Sequence, residues 1–144
     1  MLRPILATVA IFAPSTVLAQ GLLPYTDAAR VAAGAELYAE NCVSCHGADL
    51  QGQPNWKVRD ADGYLPAPPH DVTGHTWHHP DTQLIDIVSR GTEAIVGNGY
   101  ASRMIGYGEI LSDQEIRDVL AYIKSTWPAE VIEMHNDINA RSGS

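Results

Sequence analysis

The stretch Cys42-Val43-Ser44-Cys45-His46 constrains this chain more than any other. Two thiols at this spacing can each add across one vinyl group of a haem, and a histidine directly after them can present its imidazole to the iron. Neutral imidazole is a good iron ligand, and two thioether tethers hold the macrocycle beside it. C-x-x-C alone is a weaker signal, shared with dithiol redox sites and zinc half-sites. No further cysteine exists to complete a zinc site of the usual kind. The competing readings are a Cys42–Cys45 disulfide, or zinc held with nitrogens from His75 and His78 or His79.

The start of the chain gives an address. Arg3 precedes an apolar run over residues 5–13, and small residues Val17 and Ala19 sit where a signal peptidase reads. Residues 1–19 are therefore expected to be a secretory signal peptide, too short and too broken by Pro14 to span a membrane comfortably. With the leader removed, no membrane span is expected, and the protein belongs in the periplasm. That compartment is oxidising, so two exported cysteines must be paired or chemically occupied. Haem thioethers would occupy both.

The rest is the size of one small domain, expected over residues 26–135, with a flexible lead at 20–25 and a frayed tail at 136–144. Aromatics are only 7% of the chain, with a single Phe, so a core built from side chains alone is thin. A buried macrocycle would supply the missing apolar volume. The formal charge of −8, one unit more negative without Arg3, argues against nucleic acid and anionic lipid as partners. It fits redox partner proteins with basic docking patches.

Helical spacing runs from Ala28 through Val31, Ala32, Ala35, Leu37 and Tyr38 to Asn41, with Thr26 or Asp27 as N-cap. Gly34 lies four residues before Tyr38, on the same face, and invites a close crossing by another helix. Residues 47–69 hold four prolines and three glycines and predict a loop. A carbonyl of its Pro66-Ala67-Pro68-Pro69 segment could accept a hydrogen bond from the outer nitrogen of His46; the alternative is a rigid surface loop. A second helix follows Pro80-Asp81 and closes at Arg90-Gly91. A glycine-rich loop over 92–108 carries Met104. Ser112 and Glu115 then form a capping box for a helix that buries Ile116, Val119, Leu120 and Ile123. That helix halts near Trp127-Pro128, and residues 130–135 add a turn or two.

With His46 on one side of the iron, function turns on the other side. A filled site carries electrons, and an open one binds small molecules. Met1 leaves with the leader and Met134 lies in the polar tail, so Met104 is the favoured thioether ligand. His75, His78 and His79 are its competitors; they could also form a second metal site, pack around Trp77, or lie near the haem edge and its propionates.

Taken together, Gly34 and Tyr38 before Cys42-Val43-Ser44-Cys45-His46-Gly47, the proline-rich loop, Met104, and Leu111-Ser112-Asp113 leading to Val119-Leu120-Ala121-Tyr122-Ile123-Lys124 resemble a class I c-type cytochrome of the bacterial monohaem kind. The resemblance implies an all-α cytochrome c fold of three to five helices around one haem c. It implies that Gly34 and Tyr38 cross Val119 and Tyr122, that His46 and Met104 are the axial ligands, and that the Pro68 carbonyl buttresses His46. One departure stands out: Ile105 follows Met104 where such proteins often have proline. The implied function is one-electron transfer in the periplasm, by a carrier rather than an enzyme. The alternatives are the haem subunit of an oxidoreductase, a haem with a labile methionine that binds NO or CO or runs weak peroxidase chemistry, and a copper-handling protein using His75, His78 and His79.

Overall fold

A computed structural model describes residues 21–144, so the expected signal peptide lies outside the described residues. Within them the protein is all-helical. The helices are α1 (Ala28–Asn41), α2 (Val43–His46), α3 (Asp81–Arg90), α4 (Thr92–Val96), α5 (Asp113–Ser125) and α6 (Ala129–Ser142), with a 3₁₀ turn at Thr76–His78. The helix count exceeds the expected three to five because α2 and α4 are single turns set inside loops.

α1 begins at Asp27, whose carboxylate accepts the backbone N–H groups of Ala29 and Arg30. Such a cap satisfies donors that the first helical turn leaves open. The capping box at α5 is complete: Ser112 and Glu115 bond each other's backbone reciprocally. α1 and α5 form the most extensive helix pair. Their crossing depends on Gly34, where an added Cβ would lie 1.9 Å from the Asp118 carbonyl oxygen and 3.1 Å from Tyr122 Cβ. Tyr38 is buried one turn on, with its ring 5.4 Å from that of Tyr122. Arg30 Nε donates to the Asp118 carboxylate across the same seam. Gly34→Ala is expected to lower stability by about 2 kcal/mol or more, because backbone and not a flexible side chain must move aside. A chemical denaturation midpoint measures it, and an unchanged midpoint would mean the crossing is looser than it looks.

Two expectations for the chain ends are corrected. The lead is not loose in its described part: Leu23 is buried, and Asp81 Oδ2 accepts the N–H groups of Leu22 at 2.6 Å and Leu23 at 3.3 Å. The tail does not fray from Asn136, since α6 runs on to Ser142. Its buried face is polar. His135 Nε2 donates to the His79 carbonyl at 2.9 Å, Asn139 Oδ1 accepts from the Asp81 backbone at 2.8 Å, and Lys124 Nζ donates to Asn136 Oδ1 at 2.7 Å. Hydrophobic periodicity cannot reveal a helix held by this kind of contact. Burial, partly offset by Asp81, brings the Lys124 ammonium down to about 8.

Candidate haem site

α1 ends where the site begins. The Cys42 N–H still bonds the Tyr38 carbonyl at 2.9 Å, and α2 then carries Cys45 and His46 through one further turn. Gly47 ends that turn at φ +80°, a conformation that favours glycine. Cys42 is half-buried, Cys45 is exposed, and both are free thiols. Burial, and then the neighbouring Cys45, push the Cys42 thiol up to about 11.

His46 is buried at 7% exposure, and its Nδ1 lies 2.9 Å from the Pro68 carbonyl oxygen. A carbonyl can only accept, so Nδ1 carries the proton and the Nε2 lone pair is left for a metal. Burial draws the imidazole below its ordinary range, with the Pro68 bond opposing. The ring is therefore held neutral, the form that binds iron. Gly52 lets the loop close here: it sits at φ +66°, and an added Cβ would meet Pro69 N at 2.5 Å.

His70 stacks on His46 with ring centroids 4.0 Å apart and planes inclined by 24°. The sequence reading missed it. Its Nδ1 pairs with Thr76 Oγ1 at 2.9 Å, and its carbonyl accepts from Trp127 Nε1 at 2.8 Å. Burial, then the neighbouring His46 and His75, hold it neutral well below the usual histidine range. Its place two residues after Pro68 was the only available signal.

Met104 lies on the loop between α4 and α5, partly buried, with its N–H donating to Ser102 Oγ at 3.0 Å. The loop is pinned to α3 by Tyr107 N–H on the Val88 carbonyl at 2.8 Å and Gly108 N–H on the Ser89 carbonyl at 2.9 Å. The Tyr107 hydroxyl donates to the Asn41 carbonyl at 2.9 Å, which ties the methionine loop to the residue before Cys42.

The other histidines divide. His75 stacks on Trp56 at 5.4 Å and meets His79 edge-on at 5.4 Å, whereas His78 turns onto Trp77 at 3.8 Å. Among the described residues no group of three or more His, Cys, Asp or Glu side chains is arranged to hold a metal ion. His75 and His79 share one aromatic cluster with Trp56, and His78 packs on Trp77 instead. The disulfide reading has no bond to support it.

The residues present fit a haem. Between 51 and 68, and again between 92 and 110, the polypeptide buries no residue, although both stretches are tightly hydrogen bonded. Loops of that kind lack an interior of their own, and a large apolar group supplies one. His75 Nδ1 and Trp77 Nε1 are buried without a polypeptide partner. Carboxylates such as those a haem brings are suitable acceptors for groups of this type.

Comparison with known proteins agrees. The chain is 29% identical over 115 residues to a nitrite reductase of Stutzerimonas stutzeri, a match covering 76% of this chain and 18% of that protein. It is 27% identical over 94 residues to the Cbb3-type cytochrome c oxidase subunit FixP of Azorhizobium caulinodans, covering 65% of this chain and 28% of the relative. The chain therefore spans less than a third of the length of either relative. No solved structure matches it significantly. The family model for cytochrome c matches residues 31–127, from within α1 to Trp127, so that the chain belongs to the cytochrome c family and carries that family's covalently attached c-type haem.

Proposed function

We propose that this protein is an exported one-electron carrier whose haem is tethered through Cys42 and Cys45 and held axially by His46 and Met104. The observation that carries the reading is the geometry of His46: it directly follows two free thiols, and is buried and neutral, with Nδ1 committed to Pro68. The bound haem supplies a one-electron couple between ferric and ferrous iron. The polypeptide does the rest. Pro68 and His70 fix the tilt and rotation of the imidazole, and the pinned loop carries the Met104 thioether that would hold the iron together with His46. With both ligands supplied by the polypeptide, little would rearrange on reduction.

The periplasm fits the leader-like start and the free cysteine pair. Among the described residues no helix is long and apolar enough to cross a membrane. The net charge of −8 would steer docking onto basic patches, with association that weakens as salt rises. A narrower role rests on the relatives, which are named as a reductase and an oxidase subunit and exceed this chain in length. On that basis the protein delivers electrons to, or serves as the haem module of, a larger terminal enzyme of the same kind.

The test is optical. The ferric protein is expected to show the weak far-red absorption of methionine–iron ligation, and the ferrous protein is expected not to bind CO at neutral pH. Immediate CO binding by the native protein would replace the carrier with an open-site haem protein.

A further inference from the structure

Between the two candidate ligands runs one continuous segment, residues 53–69. It closes on itself where Gln53 N–H donates to the Ala67 carbonyl at 2.9 Å and Ala67 N–H donates to Gln53 Oε1 at 2.9 Å. The next residue, Pro68, holds His46. The middle of the segment is a built turn. Asp60 Oδ1 accepts the N–H groups of Asp62 at 3.0 Å and Tyr64 at 2.9 Å, and Arg59 Nη1 donates to the Gly63 carbonyl at 2.6 Å.

That turn grips the methionine loop. Arg103 Nη1 donates to Asp60 Oδ2, and Arg103 Nη2 donates to Asp62 Oδ2 at 3.0 Å. Its guanidinium lies 4.1 Å from the Tyr64 ring centroid, and Arg59 lies 5.4 Å from that of Tyr100 on the same loop. The loop is pinned to α3 on the C-terminal side of the methionine, through Tyr107 and Gly108. On the N-terminal side Gly97 and Gly99 pack against nothing, and Ile105 beside the methionine is 57% exposed.

We propose that Arg103 is a positioning residue for Met104, clasping the methionine loop to the Asp60–Asp62–Tyr64 turn so that one strap orients both axial ligands. The proposal rests on the His46/Met104 reading above. Exposed ion pairs are individually weak. Here one planar fork spans two carboxylates over a ring, in a turn already organised to receive it. The clasp therefore removes conformational freedom from the residue next to the ligand without adding any bond to the ligand.

The experiment is competition by exogenous imidazole for the ferric iron of the purified holoprotein, read optically. Arg103→Gln is expected to tighten imidazole binding about fivefold, the scale of a few exposed polar contacts. Asp60→Asn with Asp62→Asn is expected to do the same, and the triple variant no more than either. Raising salt to about 1 M, where screening falls to about 3 Å, should tighten imidazole binding to the parent and leave Arg103→Gln unmoved. Unchanged affinity in Arg103→Gln, or in the double carboxylate variant, would overturn the clasp. So would a triple variant whose effect is the product of the two. Met104→Ala separates the layers. If it alters the spectrum while Arg103→Gln leaves imidazole affinity alone, only the clasp fails. If it leaves the spectrum intact, the ligation reading fails and takes the clasp with it.

Discussion

Cys42→Ala with Cys45→Ala is expected to yield a polypeptide that retains no haem under denaturing conditions and no longer unfolds as one cooperative unit. The first half follows from bond chemistry: without thiols nothing can add to the vinyl groups, so mass spectrometry should find the bare chain. The second half follows from how little core the chain makes for itself. The buried apolar residues cluster on α1, α5, Leu84 of α3 and a few flanking side chains, including Leu23, Leu50, Leu111 and Trp127. The long stretches 51–68 and 92–110 bury nothing. A domain with a margin of about 5–15 kcal/mol cannot lose the group those loops pack on and keep them ordered. α1 and α5 are expected to persist as a pair, since Gly34 and the Tyr38–Tyr122 contact seat their crossing. Circular dichroism on heating should then show a broad, partial transition in place of a sharp one. Full retention of haem on a denaturing gel would refute the attachment outright. A single Cys45→Ala variant, with Cys42 intact, is expected to keep one tether.

Which features could be read from the sequence depends on how far the chemistry reaches along the chain. The caps at Asp27 and Ser112 and the thiol–thiol–imidazole run are local, and each is legible within a few residues. Gly34 is legible as an oddity of propensity, a glycine where alanine would serve a helix better, and its partner across the crossing comes with the family pattern. The Pro68 contact likewise came from that pattern. What escaped was polar and distant. The inner face of α6 is His135 and Asn139, which apolar periodicity counts as surface. Asp81 reads as a helix-start charge, yet it is fully buried and receives the backbone of the lead from 58 and 59 residues away. Arg103 and Asp60 are 43 residues apart, and nothing in either neighbourhood names the other. His70 was passed over because stacking on a ligand leaves no spacing rule behind it.

Met104→Ala is expected to lower the midpoint potential by an amount on the order of 0.2 V, within the range of about 0.8 V that axial ligands span. The sign is set by the thioether, which favours ferrous iron; a replacement by water or hydroxide favours ferric. The far-red ferric absorption should vanish, and the ferrous form should bind CO on mixing. The backbone should hold its place, because Ser102, Tyr107 and Gly108 anchor the loop through groups that the substitution does not touch. Met134→Ala is the matched control: its side chain is 44% exposed on α6, and neither spectrum nor potential should move. The rival ligands are testable in the same series. His75 and His79 pack against Trp56 and each other, so replacing them should disturb those ring contacts and leave the ferric spectrum as it was. If the spectrum instead followed the histidines and ignored Met104, the iron would be bis-histidine, its potential lower, and the carrier would serve a different stretch of a redox chain.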